Sequence, residues 1–168
     1  IKMQDGNFEQ AIADFTDVIS KLNPTNDAEA VLKATCLLNR SGCNIELEKY
    51  DEAIKDADEV VKLYNQMRPE EEQKNYDMQK IQDDKLTIPL SLAYVRRGQV
   101  FERQGKLLDA LQEYSVSTTL KFDGDGQIGI KSVFGHIGIP EIDQKDKDLA
   151  FFSAILAHLL SEINLLTA

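Results

Sequence analysis

The side chains from which reactive centres are usually assembled are scarce in this chain. Its 168 residues include only two histidines and two cysteines. Together these four make no recognised ligand spacing for zinc. No nucleophile–base pair is suggested by spacing either. His136 lies among glycines and reads as a structural loop residue. His158 stands beside Leu159 and reads as a surface or core-edge residue of a C-terminal helix. Asp123-Gly124-Asp125-Gly126 shares its opening with a calcium loop, but the twelfth position, which needs a bidentate acid, is Phe134. Its glycine also falls fourth instead of sixth, so the stretch reads as a turn. The expectation is a protein without catalytic residues, metal or cofactor.

Three further scarcities narrow the setting. Basic residues are outnumbered, 19 against 29 acidic, for a net charge of −10. Such a chain repels phosphate, which argues against nucleic acid and against an anionic membrane surface as partners. There is no apolar run of about 20 residues to span a bilayer, and no secretory leader is read. Cys36 and Cys43 lie seven apart, two turns along one helix, or about 10 Å. A disulfide needs about 6 Å between α-carbons, so both are expected as buried, reduced thiols, which suits the cytoplasm. Ile1 is not an initiator residue, and the chain is expected to begin inside a structural repeat.

What the chain has in quantity is helical periodicity. Ile1 to Gln4 reads as the tail of a helix and Asp5-Gly6-Asn7 as a turn, because glycine and asparagine tolerate the left-handed conformation. Phe8 to Leu22 follows as a helix, with Ala11, Ile12, Phe15, Val18, Ile19 and Leu22 at three- and four-residue spacing. Asn23-Pro24 ends it. Asn26 or Asp27 can cap a helix from Ala28 to Leu47, and Tyr50 to Met67 is its expected partner. Residues 67–87 form a charged insert, read as a short exposed helix or a partly ordered loop. Within it, Glu70-Glu71-Glu72 is a solvated helix start. Pro89 is expected to open the next hairpin, made of helices Leu90–Gln104 and Lys106–Lys121. Residues 122–140 carry glycines at 124, 126, 129, 135 and 138 and read as irregular. Ile128, Ile130, Val133, Phe134, Ile137 and Ile139 are expected to hold that stretch down. Residues 141–168 read as a capping helix, with Leu149, Phe152, Ile155, Leu156 and Leu159 among the apolar residues of its face.

Three stretches share one pattern: Gly6-Asn7-Phe8 to Phe15, Glu48-Lys49-Tyr50 to Ala57, and Gly105-Lys106-Leu107 to Tyr114. Each has a turn residue, an apolar residue two on, and an alanine three later. The alanine marks where two helices of a hairpin cross closely. This pattern resembles the tetratricopeptide repeat, a helix–turn–helix of about 34 residues. The resemblance covers residues 1–121 and implies an all-α fold of antiparallel hairpins in a right-handed superhelix, with about three repeats. The marker alanines Ala11, Ala53 and Ala110 are 42 and 57 residues apart, so insertions separate the repeats.

The most informative polar set is basic. Arg96, Arg97, Arg103 and Lys106 gather in the third repeat of an otherwise acidic chain. Arg96, Gln99 and Arg103 fall at i, i+3 and i+7 and share one helix face. Arginine's planar fork suits carboxylates, so this strip is expected to attract an acidic peptide, unless its arginines pair with Glu102 or Asp109. Leu38-Asn39-Arg40-Ser41-Gly42-Cys43 and Ala93-Tyr94-Val95-Arg96-Arg97-Gly98-Gln99 are similar to stretches of co-chaperone members of that family. That likeness implies a concave groove from Thr35, Leu38, Asn39, Gly42 and Glu46 and from Leu92, Arg96, Gln99 and Arg103. It also implies a carboxylate clamp for a heat-shock chaperone's C-terminal tail, with Asn39 and Arg96 as clamp residues. The clamp's lysine position is occupied by Leu92. The expected function is a protein–protein interaction adaptor. The alternatives are a chaperone cofactor with a degenerate clamp, and a structural subunit that docks or self-associates through its C-terminal helix.

Overall fold

The computed structural model describes residues 7–68, 84–121 and 125–136. All regular structure among them is α-helical, in six helices: α1 (Phe8–Lys21), α2 (Asp27–Glu46), α3 (Tyr50–Met67), α4 (Thr87–Arg103), α5 (Leu107–Leu120) and α6 (Asp125–His136). The chain divides into two compact units, Ile1–Pro89 and Leu90–Ala168, with the boundary in the first turn of α4. The expected tail at Ile1–Gln4, most of the charged insert and the capping helix lie outside the described residues.

In the first unit, α2 packs against both α1 and α3. Its start is set by Asn26, whose side chain accepts the Glu29 amide at 3.0 Å. Glu29 reaches back to the Thr25 amide at 2.8 Å, and the bonds from Thr25 hold its carboxyl below the usual range. Because α2 has a neighbour on two sides, it buries residues around much of its circumference, among them Ala30, Ala34, Leu37, Leu38 and Ile45. Cys36 and Cys43 are both buried and outside any disulfide, and burial pushes the Cys36 thiol up.

Arg40 crosses from α2 to α3. It donates to both oxygens of Asp56, at 3.0 and 2.5 Å, and its remaining arm reaches Thr16 of α1 at 2.9 Å. One residue on, the buried Ser41 hydroxyl donates to the Ala53 carbonyl at 2.8 Å. Arg68, just past α3, donates to Asp27 at the start of α2 and to Asp84 before α4. Hydrogen bonding to Arg68 holds the Asp27 carboxyl below its usual range.

In the second unit, α4, α5 and α6 pack around Tyr114. Its ring is almost completely buried, with Val95, Leu111, Ile130, Val133 and Phe134 in the same core. Gly98 of α4 and Gly129 of α6 both abut that ring: a methyl group at Gly98 would lie 2.5 Å from the ring edge, and one at Gly129 would overlap it. The Tyr114 hydroxyl donates to Glu102 at 2.8 Å. Burial, then the hydrogen bond to Glu102, pushes the phenol far above its ordinary value, so it stays a neutral donor.

Two sequence expectations are corrected here. The segment 122–140, read as irregular, contains the twelve-residue helix α6. Its glycines are not loop punctuation. Gly126 and Gly129 are buried where α6 approaches α5, and a side chain at Gly126 would meet Ser117, Thr118 and the Tyr114 carbonyl. Ile130, Val133 and Phe134 are buried as expected, but Ile128 is 64% exposed. His136 therefore sits in the last helical turn, not a loop, with Nδ1 3.3 Å from Glu102. The second correction is smaller. α4 begins at Thr87, so Pro89 lies inside the first turn instead of opening the helix. A proline fits there because first-turn amides have no intrahelical acceptor.

The α2–α3 and α4–α5 connections are the same turn. Glu48 and Gly105 both adopt positive φ, 57° and 74°. In each, that residue's amide bonds three residues back and the next amide five back: Glu48 to Ile45 and Lys49 to Asn44, Gly105 to Glu102 and Lys106 to Phe101. This is the Schellman arrangement, which satisfies the orphan carbonyls of the first helix. Glycine adopts it without strain and glutamate does not. Accordingly, Glu48→Gly is expected to raise unfolding free energy by about 1 kcal/mol, and Gly105→Ala to lower it by about as much. Urea titration of both variants reads this directly, and a neutral Gly105→Ala would contradict it.

Candidate partner-binding face

The residues singled out from the sequence lie on the first helices of the two hairpins. On α2, Asn39 is exposed, as are Thr35 and Glu46, with Gly42 half-buried between them. Leu38, expected in the same row, is buried and belongs to the core. On α4, Arg103 is exposed, while Leu92, Arg96 and Gln99 are half-buried. Arg96 donates to the Gln99 side chain at 2.9 Å, so these two residues form one hydrogen-bonding unit along the helix.

The three arginines of the basic cluster are divided between two faces of α4. Arg97 turns toward α5, where it pairs with Glu113 at 2.8 Å and lies 5.6 Å over the Tyr94 ring. It serves the fold. Lys106 sits over the Phe101 ring at 5.8 Å. Glu102, expected as a possible partner for the arginines, is engaged by Tyr114, Ser132 and His136. Arg96, Gln99 and Arg103 share the other face, and Asn39 occupies on α2 the position that Arg96 occupies on α4, nine residues before each positive-φ turn residue.

Sequence reasoning missed the interhelical ion pairs. Arg40–Asp56 and Arg97–Glu113 join positions sixteen apart in each hairpin. The signal was present: each arginine precedes its marker alanine, Ala53 or Ala110, by thirteen residues, and each acid follows it by three. Both alanines are fully buried, as the close crossing required.

Among the described residues, no group of histidine, cysteine and acidic side chains could hold a metal ion, and no helix is long and apolar enough to cross a membrane. The chain matches no protein-family model, no curated protein and no solved structure at a significant level.

Proposed function

We propose that the chain is a non-enzymatic, cytoplasmic interaction adaptor of the tetratricopeptide type, which holds an acidic peptide or tail of a partner protein against the Arg96–Gln99–Arg103 face of α4. The observation that carries this reading is the division of labour on α4. Arg97 is committed to the hairpin's interior ion pair, while Arg96 and Arg103 lie together about 100° and 120° around the helix from it, beside Gln99, in a chain of net charge −10. A local basic strip on an acidic protein attracts acidic segments and repels most other surfaces. The repeat assignment is supported by what the two hairpins share: the same turn, the same arginine–acid pair and the same buried alanine. Asn39 is exposed at the matching position of α2. Leu92 puts no cation one turn before Arg96, which favours acidic side chains over a clamp built for a terminal carboxylate.

The test is calorimetric titration with a peptide rich in aspartate and glutamate. Arg96→Ala/Arg103→Ala is expected to weaken binding at least tenfold, since hydrogen bonds to charged groups contribute about 1.5–3 kcal/mol each. Arg97→Lys should bind normally while losing stability. Unchanged affinity in the double variant would remove this face from consideration.

A further inference from the structure

α4 belongs to both compact units. Thr87 to Pro89 fall in the first, and the rest of the helix falls in the second, where Val95 joins the core around Tyr114. The amides at a helix start have no acceptor within the helix and must find one elsewhere. Here the Leu86 amide donates to the Asp84 carboxylate at 2.9 Å, and the Thr87 amide donates to the Asp84 carbonyl at 3.0 Å. Asp84 therefore turns the chain into α4. Its side chain is only 3% exposed, so it needs a counter-charge.

That counter-charge is Arg68, the residue after α3. Its Nε donates to Asp84 at 2.7 Å. Nη1 donates to Asp27 at 3.1 Å and to the Met67 carbonyl at 2.9 Å, and Nη2 to Asp27 at 2.8 Å and Asp84 at 3.1 Å. These bonds use every N–H of the guanidinium. The Arg68 amide donates to the Tyr64 carbonyl at 2.8 Å, which roots the side chain on α3. One residue thus joins the end of α3, the first residue of α2 and the residue that starts α4, all within the first unit. A buried ion pair stabilises little more than apolar packing of the same volume, and its best-attested use is to fix which elements meet.

We propose that Arg68 couples the two units. By tying Asp84 to α3 it makes the first turn of α4 part of the first unit's fold, and because α4 continues into the second core, neither unit unfolds alone. The helix transmits the coupling, since it propagates cooperatively from a fixed first turn and frays from a loose one. Asp27 shares the same guanidinium but lies on α2, so it serves the first unit only.

Two substitutions of unchanged shape separate this role from that of an ordinary ion pair. Asp84→Asn keeps an oxygen for the Leu86 amide but removes the charge that Arg68 grips. Asp27 still covers the guanidinium, so this variant folds. Asp27→Asn removes the other arm and leaves α4 tied. In scanning calorimetry of the full 168-residue chain, the wild type and Asp27→Asn are expected to unfold in one transition with equal van't Hoff and calorimetric enthalpies, and Asp84→Asn in two. Native-state amide exchange makes the same comparison without heating. Leu37 of α2 and Leu111 of α5, both buried, should report one shared opening equilibrium in the wild type and equilibria about tenfold apart or more in Asp84→Asn. Two transitions in the wild type would overturn the proposal, as would a single one in Asp84→Asn or a split in both variants.

Discussion

Gly129→Ala is expected to lower the unfolding free energy of the second unit by about 2–3 kcal/mol, although alanine is the better helix former by about 1 kcal/mol. The added methyl would overlap the Tyr114 ring. The ring has nowhere to go: Gly98 abuts it too, and its hydroxyl is tied to Glu102. A close-packed interior answers such a clash by shifting helices, not by turning one side chain. Gly98→Ala should cost a similar amount for the same reason. Gly135→Ala supplies the control, because a methyl there meets nothing within 4 Å and the substitution should be neutral or mildly stabilising. Adding Tyr114→Leu to Gly129→Ala should make the second change far less costly than it is alone, since the ring and the methyl compete for one space. Chemical denaturation of these variants measures all four effects. Gly129→Ala at wild-type stability would mean that α6 does not pack on Tyr114.

Asp56→Ala is expected to cost about 3–4 kcal/mol, the range found when one partner of a buried ion pair is removed. The Asp56 side chain is 7% exposed and accepts from Nε and Nη2 of Arg40 and from Asn44. Its loss leaves a guanidinium in a shielded site between α2 and α3. Part of the loss reaches α1, because the same arginine donates to Thr16. Glu113→Ala should cost less. Its partner Arg97 is more exposed than Arg40 and rests on the Tyr94 ring. The double change Arg40→Met/Asp56→Leu should recover most of the stability, because two apolar residues of similar size replace the pair without a stranded charge. Thermal and urea unfolding decide between these outcomes. A near-zero effect of Asp56→Ala would mean the pair is solvated in solution.

The helices legible in advance are those whose signals agree with one another. α3 was read at its observed bounds, Tyr50–Met67, from its apolar stripe alone, and α1 and α2 each to within a residue. Asn26 capped α2 as anticipated. α6 was misread because its glycines outvoted Ile130, Val133 and Phe134, which stand at helical spacing. In sequence a glycine that opens a turn and a glycine that admits a neighbouring ring are the same letter. Only the position of Tyr114, twelve and fifteen residues earlier than Gly126 and Gly129 in the chain, tells them apart. The basic cluster failed in the same way. Arg96 and Arg97 are adjacent in sequence, but 100° of helix rotation puts Arg97 on Glu113 and Arg96 beside Gln99. Leu38 was placed in the ligand row by likeness of motif, and the double-sided packing of α2 buries it.

By itself, the sequence determined the all-helical character of the described chain, the absence of a disulfide between Cys36 and Cys43 and the positions of the hairpin turns. Each of these follows from local chemistry: apolar residues at helical spacing, a separation too long for a disulfide, and turn residues that leave the helical conformation. The tertiary structure decided which arginines pair across a hairpin, Arg40 with Asp56 and Arg97 with Glu113, and which glycines are contact points. Those outcomes depend on which helix lies beside which, and side chains distant in sequence acquire their partners only when the helices have packed.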